Sequence, residues 1–465
     1  MSRFTSHQQI CGATVASRSR PYNEWFIDLD SSGTGLGICQ RLIDDFIQVK
    51  PVTDRLTIIF TTRSASKAAA TLRNLQVRLK VRYADDIHRF TLSPESVDLS
   101  DLRSVRALAQ KLLASDIPCI DALVLNAGIG GWSGLNWGLA VRTILYDLRR
   151  ATTWPTFKLS YVGTVTKPQL PPIHGQNADE PPLAEVFCAN VFGHYMLAHW
   201  LTPLLWSCNS VRPARILWMG SLGGQPEDFR IDDFQGFKAQ SPYEHTKWIT
   251  DHMALTAQNE PATERYVKSF LDPTTSTLAP NQDRPRNERP SIRVIHPGIV
   301  HTAIIDLPWI LMQGYALVVI LARWLGSPWA TATSYVAAIS AVSLALAPHK
   351  QLMEMEEDEG GKAIKWGSAV NRWGTARVET SEVVGWGING SGKPYSATWW
   401  GGPAWWMGGY VGRNHGAKDA TKEDVENFVV QSAQVWKKLE ELRVEWEHRL
   451  EDYDKKVSHE NGSLG

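Results

Sequence analysis

Short apolar runs, each closed by a small or turn-forming residue, recur along this chain and constrain its fold more than any other feature. Leu56-Thr-Ile-Ile-Phe-Thr-Thr62 is one, and Ser96-Val-Asp-Leu99 closes another. Asp121-Ala-Leu-Val-Leu runs into Asn126-Ala-Gly128, Ala214-Arg-Ile-Leu-Trp-Met-Gly ends at Ser221, and Ile292-Arg-Val-Ile-His runs into Pro297-Gly298. Helical patterns stand between them, notably Ile38–Phe46 and a long apolar helix from Leu183 to Leu205. Strands that alternate with helices build a parallel sheet with helices on its faces. The expected fold is therefore α/β: a doubly wound, Rossmann-type parallel sheet in a single domain with insertions and a helical C-terminal extension.

Between two of these runs lies Ser241-Pro-Tyr-Glu-His-Thr-Lys247. A tyrosine four residues before a lysine on a helix puts phenol and ammonium on one face, one turn apart. The cation favours phenolate, so Tyr243, with an ordinary pKa of about 10, is expected to titrate nearer pH 7 as a general acid/base. Ser221, at the end of a neighbouring strand, could polarise the same carbonyl. That is the chemistry of reversible ketone reduction. Taken alone, Tyr-x-x-x-Lys fits an ordinary surface helix equally well; the order of the other signals argues for chemistry.

Gly35-Leu36-Gly37, ahead of the first helical pattern, permits a tight turn and close approach of backbone to a pyrophosphate at a helix N-terminus. After the second strand comes Thr62-Arg63. An arginine there can pair with a 2′-phosphate where an acidic residue would bind a ribose hydroxyl, which favours NADPH over NADH. The alternative for Arg63 is a solvated surface side chain.

With 465 residues, 43% hydrophobic and 21% charged, the chain can bury a large core. A formal net charge of zero gives no argument for nucleic acid. Five cysteines (Cys11, Cys39, Cys119, Cys188, Cys208) show no Cys-x-x-Cys pair or zinc spacing. With no signal peptide visible, they read as reduced thiols in a cytosol-facing protein, and no metal site is expected.

The succession of glycine-rich turn, Asn-Ala-Gly, helix asparagine (Asn190), Ser221, Tyr-x-x-x-Lys and Pro-Gly resembles the short-chain dehydrogenase/reductases from about residue 31 to 305. The resemblance implies a catalytic set of Asn190, Ser221, Tyr243 and Lys247. It places Gly35, Leu36, Gly37, Arg63, Asp98, Asn126, Tyr243, Lys247, Pro297, Gly298 and Thr302 around NADPH, with Asp98 at the adenine and Asn126 near the adenosine ribose. Lys247 would both bind the nicotinamide ribose and lower the tyrosine pKa, and Asn190 would support a water-linked proton relay to it; alternatively Asn190 caps a kink in its helix.

A narrower resemblance rests on Asp232-Asp-Phe-Gln-Gly236 ahead of Tyr-x-x-x-Lys, Gly37–Phe46, Ala322-Arg-Trp-Leu-Gly-Ser-Pro-Trp329 and the Trp-Gly pairs at 373 and 386. From about 35 to 450 the chain is similar to the fungal 3-ketosteroid reductases of ergosterol synthesis. That implies reduction of the 3-keto group of 4-methyl sterols to the 3β-alcohol, with Tyr243 protonating the developing alkoxide and Ser221 hydrogen-bonding the same oxygen. It also implies other enzymes of the sterol C-4 demethylation complex as partners, at the cytosolic face of the endoplasmic reticulum membrane or on lipid droplets. A non-catalytic scaffold subunit, and a reductase of another lipid ketone such as a retinoid, are the competing readings.

The expected organisation is an atypical N-terminus (1–30), a catalytic domain (31–305) with a surface insertion at 132–182, an apolar lid or membrane-contact segment (306–350) and a Trp-rich extension (351–455). The extension is expected to end in an amphipathic helix over Asp424–Leu450, followed by disorder in the last ten residues. Ser31 departs from the family pattern, which has glycine there, and only Trp25–Leu29 is strand-like before it. Either that segment is a degraded first strand, or the functional protein carries another N-terminus; the sequence favours the second. From Leu307 to Ala322 there are 16 uncharged residues, short of the roughly 20 that span a bilayer. Buried lid helices or interfacial insertion of 307–325 both fit, with Ile304, Leu307, Trp309, Ile310, Leu311 and Met312 as candidates to line a sterol cleft.

Overall fold

The computed structural model describes residues 22–28, 33–147, 157–172, 179–206, 213–278, 288–300, 309–324, 326–358, 362–388, 390 and 418–463. Eight strands form one sheet in the order β10-β9-β8-β7-β4-β1-β2-β3. They are β1 Tyr22–Asp28, β2 Arg55–Thr62, β3 Phe90–Ser96, β4 Ala122–Leu125, β7 Arg215–Met219, β8 Ser291–His296, β9 Lys365–Val370 and β10 Ala376–Ser381. All neighbours are parallel except β9 and β10. The doubly wound expectation holds. Strands β4, β7 and β8 are buried at every position, as a sheet covered on both faces requires.

Strand β1 is the degraded strand that the sequence reading disfavoured. Trp25–Asp28 pairs with Ala122–Leu125 on one side, and Tyr22–Ile27 with Arg55–Phe60 on the other. Both neighbours present unpaired ladders that only a central strand can satisfy, and this overrides the poor β-propensity of Asn23 and Glu24. Ser31 and Leu29 lie outside the described residues.

The first helix, Thr34–Val49, buries Ile38, Leu42, Ile43 and Phe46 against one face of the sheet. On the other face pack Leu102–Leu113 and the long helix expected over 183–205. That helix comprises Glu185–Phe187, a π-helical turn Cys188–Phe192 and Gly193–Trp200, continued by Thr202–Trp206. The Tyr243 helix, Pro242–Leu255, is buried along nearly its whole length.

The segment after 350 does more than extend the chain. Its strands β9 and β10 complete the sheet beside β8, and its helix runs Lys422–Ser463, longer at both ends than expected. The helix docks on the Tyr243 helix through Trp436, whose Nε1 donates to the Met253 carbonyl at 3.2 Å. A buried network of Arg443 with Glu440 and Glu447 adds Tyr195, whose hydroxyl donates to Glu440 at 2.6 Å. The insertion is also more than a surface excursion. It holds an antiparallel ribbon, β5 Trp132–Leu135 with β6 Lys158–Ser160, and a helix, Trp137–Tyr146, and the ribbon reaches the catalytic region.

Candidate active site

Strand β7 stops at Met219, and Ser221 lies two residues beyond its end. The Tyr243 helix starts with Pro242 at its first position, where the missing N–H costs nothing. Its register turns Tyr243, Lys247 and Asp251 toward the end of β7. The Tyr243 phenol faces Ser221, which favours its ionised form, and Ser221 Oγ accepts from the Gly223 N–H at 3.0 Å. The Lys247 ammonium lies 5.4 Å from the Tyr243 ring centroid and donates to the Met219 carbonyl at 2.7 Å. Ser221, Tyr243 and Lys247 therefore meet as the sequence predicted.

The expected lowering of the tyrosine pKa is not what the geometry gives. Burial pushes the Tyr243 phenol up to about 12; Ser221 opposes the rise and the Glu244 carboxylate adds to it. Lys247 is itself pushed down to about 8 by burial, opposed by Asp251 and reinforced by Lys365. Desolvation is the dominant cause for both groups in this cleft. The phenol consequently keeps its proton at neutral pH, which is the state a proton donor needs.

Asn190 sits inside the π-helical turn, a local irregularity common at functional sites. Its Oδ1 accepts from the Ile129 N–H at 2.7 Å, and its Nδ2 donates to the Ile129 carbonyl at 3.0 Å and to Thr246 Oγ1 at 3.2 Å. Thr246 Oγ1 in turn donates to the Tyr243 carbonyl at 2.7 Å. Asn190 thus ties the loop after β4 to the Tyr243 helix. A Cβ on Gly128 would stand 2.7 Å from Asn190 Oδ1, so that loop needs glycine for its close approach.

The expected cofactor residues line the carboxyl ends of the strands, where open α/β sheets bind dinucleotides. Gly35, Leu36 and Gly37 lie within the first turn of the Thr34–Val49 helix rather than in a turn ahead of it. That helix has no acidic residue in its first turn and no side-chain cap, so its free N–H groups suit an anion. Gly37 answers to packing instead: a Cβ there would come 2.2 Å from the Ser334 carbonyl oxygen. Arg63 is exposed just past β2 and pairs with no carboxylate among the described residues. Asp98 Oδ1 accepts from the Ser100 hydroxyl at 2.7 Å, and Asn126 follows β4. Pro297 and Gly298 turn the chain after β8, Gly298 with φ +74°. Thr302, Ile304 and Leu307 lie outside the described residues. This constellation fits a nicotinamide dinucleotide.

Residues that sequence reasoning missed crowd the same place. Trp132 packs on Tyr243 with ring centroids 5.1 Å apart. Lys158 Nζ lies 4.4 Å from the Trp132 ring centroid, 5.6 Å from that of Tyr243, and pairs with Glu244. Nearby, burial, then the Glu244 charge, raise the Asp228 carboxyl to about 6. Only the place of Trp132 and Lys158 in a Trp-bearing insertion could have hinted at those two. Lys365 lies in the mixed run Ile364–Val370, whose glycine and serine hid its strand.

No protein-family profile matches the chain. The 3-keto-steroid reductase of Aspergillus fumigatus is 39% identical over 92% of this chain and 95% of that protein. The enzyme of the same name from Gibberella zeae is 36% identical over 95% and 98%, and that of Schizosaccharomyces pombe 30% over 76% and 88%. Among solved structures, salutaridine reductase from Papaver somniferum aligns at 15% identity and a TM-score of 0.40, covering 70% of this chain and 96% of that one. A short-chain type dehydrogenase/reductase from Mycobacterium ulcerans aligns at 13% and 0.38, covering 69% and 82%. On identity and coverage of the curated relatives, the chain belongs to the 3-keto-steroid reductase family.

Proposed function

We propose that this protein reduces the 3-keto group of a 4-methyl sterol to the 3β-alcohol with NADPH, in the C-4 demethylation steps of ergosterol synthesis. The observation that carries the chemistry is the Tyr243 phenol, protonated, facing Ser221 and backed by Lys247. When bound, the reduced nicotinamide supplies a hydride to the ketone carbon. Ser221 and Tyr243 orient the ketone oxygen, and Tyr243 passes its proton to that oxygen as charge develops there. Lys247 stabilises the phenolate left behind, and Asn190 holds the loop and helix that carry a water-linked relay to it. Arg63 reads the 2′-phosphate of NADPH. The intact set weighs against a non-catalytic scaffold. The test is NADPH oxidation by the purified chain with a 4-methyl 3-keto sterol, the product's C3 configuration being read by chromatography. Absence of turnover, or a strong preference for a retinoid ketone, overturns the reading.

We place the enzyme at the cytosolic face of the endoplasmic reticulum, beside the other enzymes of the demethylation complex. Among the described residues no helix is long and apolar enough to cross a membrane. The helix Trp309–Trp324 buries Val319 and Ala322 yet exposes Leu317 by 58% and Trp324 by 60%. Helix Trp137–Tyr146 exposes Leu145 and Tyr146. Such surfaces support shallow contact with a bilayer from which a sterol is drawn. Flotation with liposomes, lost on Leu317→Glu with Trp324→Glu, is the expected result.

A further inference from the structure

Beneath Ser221, Tyr243 and Lys247 lies a buried charge cluster supplied partly by a distant strand. Lys365 enters from β9, and its Nζ donates to Asp251 Oδ2 and to the Ser221 carbonyl oxygen, each at 2.6 Å. Both side chains are withdrawn from water, Lys365 with 3% exposure and Asp251 with none. Asp251 stands one helical turn after Lys247. The loop after β7 closes over the carboxylate: a Cβ on Gly220 would lie 3.2 Å from Oδ1, and one on Gly224 3.3 Å from Oδ2. Asp251 Oδ1 makes no hydrogen bond among the described residues.

The Asp251 carboxylate thus pairs with Lys365, and its charge also reaches Lys247. His296 on β8 faces the same cluster and is kept neutral by burial and by the Lys365 charge. Tyr243 stands one turn before Lys247, with Glu244, its partner Lys158 and Asp228 beyond it. Burial raises the Asp251 carboxyl, while Lys365 and Lys247 pull it back. A buried ion pair is weak as a device for stability, because desolvation offsets much of the attraction. Its geometry here has another use. The Ser221 carbonyl that Lys365 holds belongs to the residue whose hydroxyl contacts Tyr243.

We propose that Lys365 is a positioning residue for ketone reduction: with Asp251 it pins the Ser221 turn to the Tyr243 helix and fixes the electrostatic field around Lys247. The proposal rests on the reading that Ser221, Tyr243 and Lys247 perform that reduction. Lys365 acts through the Ser221 backbone and the Asp251 carboxylate, without touching the reacting atoms.

The test uses the full chain, NADPH and a 4-methyl 3-keto sterol. Lys365→Met alone strands a buried carboxylate and is expected to unfold readily. The informative variant is Lys365→Met with Asp251→Asn, which removes both charges. Its KM values should stay within about twofold while kcat falls about tenfold or more, as for a displaced catalytic group. The alkaline limb of its kcat profile should move to lower pH, because the Asp251 attraction on Lys247 exceeds the Lys365 repulsion. Wild-type kcat with an unmoved limb overturns the proposal. Lys365→Arg keeps the buried charge and covers failure of the double variant to fold. It should leave the limb in its wild-type place, and a limb shifted to lower pH overturns the proposal as well. Tyr243→Phe in the same assay separates the two ideas. If that variant is inactive while the Lys365 variants match wild type, only the role of Lys365 fails. If it turns over normally, the catalytic reading beneath it fails.

Discussion

Replacing Tyr243 with phenylalanine removes one oxygen from a site whose packing otherwise stays in place. The ring keeps its face on Trp132, with centroids 5.1 Å apart, and its place beside the Lys247 ammonium. The fold loses at most the phenol's interaction with Ser221, whose Oγ keeps its bond from the Gly223 N–H. The stability cost is therefore at most that of one hydrogen bond, about 0.5–1.5 kcal/mol. The chemical cost is that of a general acid, about 10²–10⁴ in kcat, or roughly 2.7–5.5 kcal/mol. Thermal unfolding, NADPH binding by tryptophan quenching and sterol-ketone turnover, measured on one preparation, separate the two. Expected are near-native unfolding and binding with at least a hundredfold loss of kcat, the low end of that range. The wild-type pH profile adds a second check. With the phenol near 12 and the lysine near 8, activity should fall as pH rises through the lysine value, since Lys247 is charged below it and neutral above. Turnover near wild type in the variant, or a rate that holds level to beyond pH 10, refutes the reasoning.

Arg63→Ala should raise the KM for NADPH and leave NADH use nearly unchanged; equal effects on both would show that Arg63 does not read the 2′-phosphate. Gly298→Ala should destabilise by roughly 2 kcal/mol or more in urea unfolding, since a left-handed φ of +74° is combined with a Cβ placed 2.4 Å from the Trp329 carbonyl oxygen. A loss under about 0.5 kcal/mol, the level of an ordinary surface substitution, would contradict that. His252 is stacked on Phe428 at 4.0 Å, is hydrogen-bonded to Ser432 at 2.7 Å and is pushed down to about 3 by burial. The unfolded chain takes a proton there below about pH 6.5 while the folded one does not. Stability should hold above 6.5 and decline as pH falls toward 3, by roughly 1.4 kcal/mol per unit. His252→Gln should flatten that slope, and an unchanged slope would assign it to other groups.

How much of this was legible beforehand follows from where burial decides the sequence. Strands β4, β7 and β8 are covered on both faces, so they had to be apolar at every position and could be read directly. Strand β1 carries Asn23 and Glu24 and is set by its neighbours' register, which composition does not record. Strand β9 was obscured differently. Its run Lys365-Trp-Gly-Ser-Ala-Val370 mixes a charge, a glycine and a serine, although every one of those residues is buried. Serine is there because helices pass close by: Ser368 Oγ donates to the Ala337 carbonyl and bonds the Ser340 hydroxyl at 2.8 Å. Glycine is there because a Cβ on Gly367 would meet the ring of His296 on the neighbouring strand β8 at 2.4 Å.

The catalytic set shows the same division within a single residue. The spacing of Tyr243 and Lys247 fixed their common helical face, and Ser221 at the end of an apolar strand fixed the third member. The protonation state could not be obtained that way, because the term that decides it is the removal of water. Trp132 and Lys158 arrive from an insertion and pack on the ring of Tyr243. Each of these groups is far from Tyr243 in sequence and excludes solvent that would stabilise a phenolate. The same burial depresses the lysine, so the pair is tuned in opposite directions by one cause. A tyrosine that holds its proton beside a lysine near its own titration point is suited to giving a proton to an alkoxide and taking back a smaller charge. The protonation state of the site thus arises in the segments that enclose the motif as much as in the motif itself.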